Sequence, residues 1–287
     1  MIKNILTHAF LFFCMIFMIS CEESININTK NSPPVIVIYG SFTNDTAFQY
    51  LQITSSSPYF DNEPNRGISG ANVFIKSSTN DIINFTENDT YSGFYDTDTR
   101  VAFIPGLTYY LNVEVDFDND GVTEIYTATS QMPMPVEIDS IVLRNFQIVS
   151  EKHHALYLYA QDPPTEDYYL NMYKINGIPV LNKISEYSPM NDKAFNGQYV
   201  NGLMMQIFDD AEYKSDSIYL TQGDIVEFGM ARIEKGYYNF ILQCKDEIRG
   251  ESPFFGSPAS NITTNISNGA KGYFTCYPVT KMEAVVE

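Results

Sequence analysis

The chain has 287 residues, with 17 basic and 35 acidic side chains, a formal charge of −18 and a pI near 4.4. So acidic a surface repels polyanions, and no basic patch with interleaved aromatics is present, which argues against a nucleic-acid partner. Charged residues alternate with Tyr, Phe, Ile and Val rather than running in blocks, so the composition is that of a folded chain and not a disordered one.

The first ten residues, MIKNILTHAF, carry Lys3 as their one firm charge, and an apolar run from Ala9 to Ile19 leads to Ser20 and Cys21. That run is too short to cross a bilayer, which takes about 20 apolar residues. A charged start, a short apolar middle and a small residue before the cut are the marks of an export signal. MISC (18–21) resembles the lipobox of bacterial lipoproteins, matching at Ser20 and departing at Met18, where Leu is usual. The resemblance implies that Cys21 is acylated and becomes the new N-terminus. The alternative is an ordinary secretory signal with a chance cysteine. Each buried methylene contributes about 0.8 kcal/mol, and two or more acyl chains make such an anchor stable. Glu22 and Glu23, directly after the cysteine, resemble a surface-export signal of Bacteroidetes lipoproteins. The expected leader is therefore residues 1–20. It leaves 267 residues with 16 basic and 35 acidic side chains, a charge of −19. Residues 21–33 are polar, end in proline and read as a tether; thirteen residues extend to roughly 40 Å.

Strand signals begin at PVIVIYGSF (34–42) and continue through FQYLQITSSS (48–57), ANVFIKSS (71–78), YYLNVEVDF (109–117) and TEIYTATSQ (123–131). Turns rich in Gly, Asn, Asp and Pro separate them, and short strands so punctuated predict a β-sandwich of about 100 residues. MPMPVEIDS breaks the pattern, so one domain is expected over 34–135 and a second, β-rich one over 136–287. The second half shows strand signals at 139–146, 155–161, 167–175 and 216–233, with a loop-rich stretch over 180–215. In GYYNFILQCKDEI (236–248), Tyr237, Ile241 and Cys244 fall at helical spacing, with Tyr238 and Leu242 beside them, which predicts one amphipathic helix. GYFTCYPVTKMEAVV closes the chain as one or two strands. The expected fold class is all-β in the main.

The candidate metal site is DFDNDGVTE (116–124). Asp116, Asp118, Asp120, Gly121 and Glu124 follow the start of an EF-hand-like calcium loop, but Thr127 stands where the bidentate Glu is needed. Asn-Asp-Gly between alternating strands is itself a strong turn signal, so a hairpin is the preferred reading, with weak calcium binding as a possible addition. His153 and His154, as neighbours on a strand, point to opposite faces and are expected at a solvated strand start. Cys244 and Cys276 are a candidate disulfide; the sequence leaves bonded and free forms open. No GxSxG, HExxH, P-loop or GxGxxG motif is present, and nothing singles out a carboxylate pair. EDYYLNMY (166–173) and KGYYNF (235–240) could offer Tyr to a glycan, but packing is the preferred role.

Several stretches resemble a lipoprotein family of the Bacteroidetes, that of the domain of unknown function 4249 (DUF 4249). SGANVFI, YSGFYDT and PGLTYYLNVEV carry the likeness in the first half, and IDSI, DPPTEDYYLNMY, FNG (195–197), FDD (208–210), GDIVEF and PASNITTNISNGAKGYF in the second. The resemblance covers nearly the whole mature chain. It implies an immunoglobulin-like or carboxypeptidase-regulatory-like sandwich followed by a β-rich domain, and an outer-membrane setting beside TonB-dependent transporters. It supplies no catalytic residues, and Cys244 and Cys276 lie outside its pattern. The expectation is a non-enzymatic accessory lipoprotein, without a resident cofactor, lipid-anchored in the outer membrane and facing the cell surface. The alternative is a free-standing surface binder of glycans or peptides.

Overall fold

In the computed structural model, residues 33–57, 65–148, 151–181, 183–210, 219–249 and 262–287 are described. The leader, Cys21, Glu22, Glu23 and the tether up to residue 32 lie outside them. From Pro34 onward the described residues belong to one unit. Among them, no helix is long and apolar enough to cross a membrane.

The first half contains seven strands: β1 (Ile36–Thr43), β2 (Tyr50–Ser55), β3 (Asn72–Ser77), β4 (Ile82–Glu87), β5 (Phe94–Thr97), β6 (Thr108–Val115) and β7 (Glu124–Gln131). Burial alternates strictly along β1 and β7, as expected of strands with one face inward and one outward. β4 and β5 were not among the expected strands. They are short, and β5 has only four residues in which to show a period of two.

The remaining strand of this sheet comes from the far end of the chain. β16 (Lys271–Tyr277) lies parallel to β1, Val37 opposite Lys271 through Thr43 opposite Tyr277. The order is β16-β1-β2-β5-β4-β3-β6-β7. The sheet folds over on itself: Phe42 of β1 meets Phe85 of β4 edge-on with ring centroids 5.7 Å apart, although two strands separate them in the ladder. Its ends also approach, since Ser130 Oγ of β7 accepts from Cys276 N of β16 at 2.9 Å. A single apolar cluster containing Phe42, Leu51, Ile75, Leu111, Phe103 and Phe274 fills the interior. The division expected at residue 135 therefore needs correction. The C-terminal segment supplies the first sheet with an edge that no earlier strand provides.

The second half stacks two sheets. One pairs β8 (Ser140–Ile148), β9 (Glu151–Gln161), β13 (Tyr199–Asp210) and β14 (Tyr219–Leu220). The other pairs β10 (Tyr168–Ile175), β15 (Ile225–Ile233) and β17 (Val279–Val285), with β11 (Ile178–Pro179) and β12 (Pro189–Asn191) short strands on β10. Tyr173 of β10 packs edge-on against Phe208 of β13 at 5.9 Å, so the sheets face each other. β13 runs through the stretch expected to be loop. Gly202 at φ +79° and two register shifts, at Asn201/Leu203 and Met204/Gln206, break the alternation that would have marked it.

The helix forms where expected, as α1 (Lys235–Arg249). It buries Tyr237, Phe240 and Ile241 against the other face of the β10 sheet, with Tyr168, Leu170, Tyr273 and Tyr277. β10 is thus covered on both sides, which explains its run of buried residues without alternation. Only Pro278 separates β16 in the first sheet from β17 in the second.

Candidate metal centre

The acidic hairpin follows its turn reading closely. Val115 pairs with Glu124 across β6 and β7, and residues 116–123 form the loop. Oxygens of Asp116, Asp118 and Asp120 gather within 4.8 Å of one another. Those oxygens already accept the loop's own amides: Asp116 takes Asp120 N and Gly121 N, Asp118 takes Asp120 N, and Asp120 takes Val122 N. Glu124 stands outside this group, its Oε2 accepting Phe117 N at 2.9 Å. Asn119 at φ +61° and Gly121 at φ +88° make the reversal. A loop of this kind needs the carboxylates to hold its shape, with or without an ion.

The two histidines depart from expectation. Both are buried, at 9 % and 5 % exposure, and the His153 ring packs against Phe146 of β8 with centroids 5.5 Å apart. His153 Nδ1 lies 2.9 Å from Asp209 Oδ1 on β13. The pair sits beside a depression of about 600 Å³ whose lining includes Asn145, Lys152 and Thr221. Thr221 Oγ1 donates to Asp224 Oδ2 at 2.8 Å and is thereby committed to a turn. Cys244 and Cys276 are free thiols, Cys276 in the core of the first sheet and Cys244 beside the helix cluster. Burial pushes the Cys244 thiol up to about 11, which suits a packing residue rather than a nucleophile.

A second acidic group, which the sequence reading did not single out, lies deep in the second half. Asp162 follows β9, Asp167 precedes β10, and Asp192 follows β12. One oxygen from each lies within 4.8 Å of the others, and the residues are 3 %, 5 % and 0 % exposed. Local pairing builds this arrangement. β12 lies antiparallel to β10 with Asn191 opposite Tyr168, which brings Asp192 alongside Asp167. Asp167 N donates to Asp192 Oδ2 at 2.9 Å, and Asp192 N donates back to Asp167 O at 3.2 Å. Pro163 and Pro164 turn the chain between the sheets, returning Asp162 towards Asp167.

Each carboxylate is held by named donors. Asp162 takes the Tyr169 hydroxyl on Oδ1 at 2.8 Å and the Gly197 amide on Oδ2 at 3.0 Å. Gly197 has φ +70°, a conformation that glycine adopts without strain. Asp167 takes the Thr165 hydroxyl at 2.9 Å and Arg232 Nε at 2.8 Å, with Arg232 Nη2 also on it. Asp192 Oδ1 has no hydrogen-bond partner among the described residues. Burial pushes the Asp162 carboxyl up against the Tyr169 and Gly197 donors that hold it down, and the Asp192 and Asp167 charges add to the rise. Burial and the bond to Asp162 raise the Tyr169 hydroxyl in turn, so it remains a donor. On the apolar side, Asp162 borders a cavity of about 10 Å³ lined by Tyr169, Met190, Phe195 and Met230.

Two of the stretches that carry the family resemblance, DPPTED and FNG, supply Asp162, Asp167 and Gly197 to this one site. A single sequence could not show that they meet, because the residue joining them, Asp192, arrives through the three-residue strand β12. No curated protein matches the chain. The family model described as domain of unknown function (DUF4249) matches residues 22–283, and the chain belongs to that family.

Proposed function

We propose that the protein is an outer-membrane lipoprotein, held by acyl chains on Cys21, that works by binding rather than catalysis beside a TonB-dependent transporter in nutrient uptake. The observation that carries this reading is the short apolar run ending at Ser20-Cys21, immediately before the residue at which the family match begins. Glu22 and Glu23 favour the cell surface as the side the body faces. Support also comes from the character of the body: an acidic unit of stacked sheets, suited to presenting a fixed surface at the end of a tether.

A second reading, a free-standing glycan binder, draws on a different feature. On the outer face of the first sheet, Tyr50 and Tyr91 are 54 % and 65 % exposed and flank Phe94, with ring centroids 5.7 and 6.2 Å from it. Such a platform could stack on sugar rings. The tyrosines of EDYYLNMY and KGYYNF are poorer candidates, since Tyr168, Tyr169 and Tyr237 are buried.

One set of experiments separates the two. Wild-type protein should sediment with outer membranes, carry a lipid mass and bring down a barrel protein, while Cys21→Ser should lose all three. Continued sedimentation of the variant would remove the first reading. Recovery of no barrel protein, together with polysaccharide binding by Cys21→Ser that Tyr91→Ala abolishes, would favour the second.

A further inference from the structure

The triad at Asp162, Asp167 and Asp192 has a charge imbalance that the described residues do not resolve. Among the described residues, its one ion pair is that of Asp167 with Arg232. Asp162 and Asp192 then remain as two carboxylates without a cationic partner, at 3 % and 0 % exposure. Buried charge is strongly disfavoured unless paired. Asp192 Oδ1 is an acceptor cut off from solvent and, among the described residues, from every donor. Buried polar atoms so orphaned are rare and call for an unseen partner.

We propose that Asp162, Asp167 and Asp192 bind a divalent cation, calcium in particular, which pins the crossover between β9 and β10 to the end of β12. The ligand set is all oxygen, the choice of a hard cation. Calcium fits better than magnesium because its coordination is flexible, whereas magnesium demands a near-ideal octahedron. These carboxylates are already fixed by Tyr169, Gly197, Thr165, Arg232 and the Asp167 amide, so the ion must adapt to them. A divalent ion cancels both uncompensated charges and gives Asp192 Oδ1 its partner. A shared proton would cancel only one.

The site differs from the exposed hairpin triplet in its independent mark: the orphaned, fully buried oxygen. It is also independent of how the protein is anchored or what it carries. Metal here would clip together three separate stretches of chain at the seam between the two sheets of the second half.

The test is a calcium titration of the full-length protein after treatment with a chelator. Calcium at about a hundred times its dissociation constant should raise Tm by about 5 °C, the rise growing with the logarithm of calcium concentration. Terbium should bind in place of calcium and luminesce on excitation of tyrosine, since the Tyr169 hydroxyl bonds Asp162 directly and the chain has no Trp. Asp192→Asn should fold, because its amide oxygen can keep the Asp167 N–H and its NH₂ can occupy the orphaned position. It should lose the calcium response at least tenfold, while Asp118→Asn in the hairpin keeps it. If Asp192→Asn does not fold, Asp162→Asn takes its place, and the wild-type titration against Asp118→Asn still decides. The proposal is overturned if calcium, magnesium and manganese all leave Tm unmoved, if Asp118→Asn alone abolishes the response, or if Asp192→Asn responds as wild type does. A rise in Tm on acidification with no response to cations would assign the triad a proton instead.

Discussion

Glu234 shows how one side chain can bind the halves of the molecule together and set part of the pH response. It precedes α1, and its main-chain carbonyl accepts Tyr238 N at 3.0 Å, the first bond of the helix. Its carboxylate reaches the first sheet, taking Ser130 Oγ at 2.6 Å and Gln131 N at 3.2 Å. Burial raises its pKa from the ordinary 4.5, against the pull of those two donors. The folded form therefore holds a proton in a window above 4.5 where the unfolded chain has released it, so this group's contribution to stability falls as pH rises through that window. Urea midpoints measured from pH 4.5 to 7 should decline less steeply in Glu234→Gln than in wild type; parallel curves would refute the assignment. None of this shows in the sequence, where Glu234 is one acid among 35. The Asp162–Asp167–Asp192 group was equally hidden. Asp116, Asp118 and Asp120 stand out in the sequence instead, because regular spacing is visible in one dimension and convergence from three segments is not.

Among the elements, β16 is the one on which most depends. It gives the first sheet its parallel edge on β1, and its Tyr273 and Tyr277 reach the opposite cluster beneath α1. Parallel pairing brings the strands very close at Gly272, where φ is +98° and a Cβ would meet Ile38 O at 2.0 Å. Glycine is required here on both counts. Gly272→Ala should cost about 3 kcal/mol, through strain and displacement of the β1–β16 ladder, read as a lowered urea midpoint. Gly223→Ala is the control: it too has positive φ, +91°, but open space around the Cβ position, so it should cost clearly less. Equal losses would show that the backbone conformation, and not the approach of Ile38, sets the requirement. α1, by contrast, could be read directly. Its period of 3.6 places Tyr237, Ile241 and Cys244 on one face, and the same residues meet the sheet in the structure.

At the scale of the whole molecule, the two halves share a single continuous C-terminal segment. β16 belongs to the first sheet, β17 to the second, and one residue joins them. Neither half can lose its edge strand without straining the other. Unfolding in urea followed by far-ultraviolet circular dichroism and by tyrosine fluorescence should give coincident single transitions. A chain ending at residue 249 should leave residues 34–135 unable to hold their fold, seen as rapid proteolysis across the first sheet. Survival of a resistant fragment of that size would mean that the first sheet stands without β16. The β class, most of the strands, the helix and the acidic hairpin are legible in the chain alone, because each is written in local periodicity and turn chemistry. Which strand closes the first sheet, which tyrosines are buried and which carboxylates meet emerge from the folded chain. Those depend on pairing between residues as far apart as Val37 and Lys271, and a one-dimensional pattern carries no record of a partner at that distance.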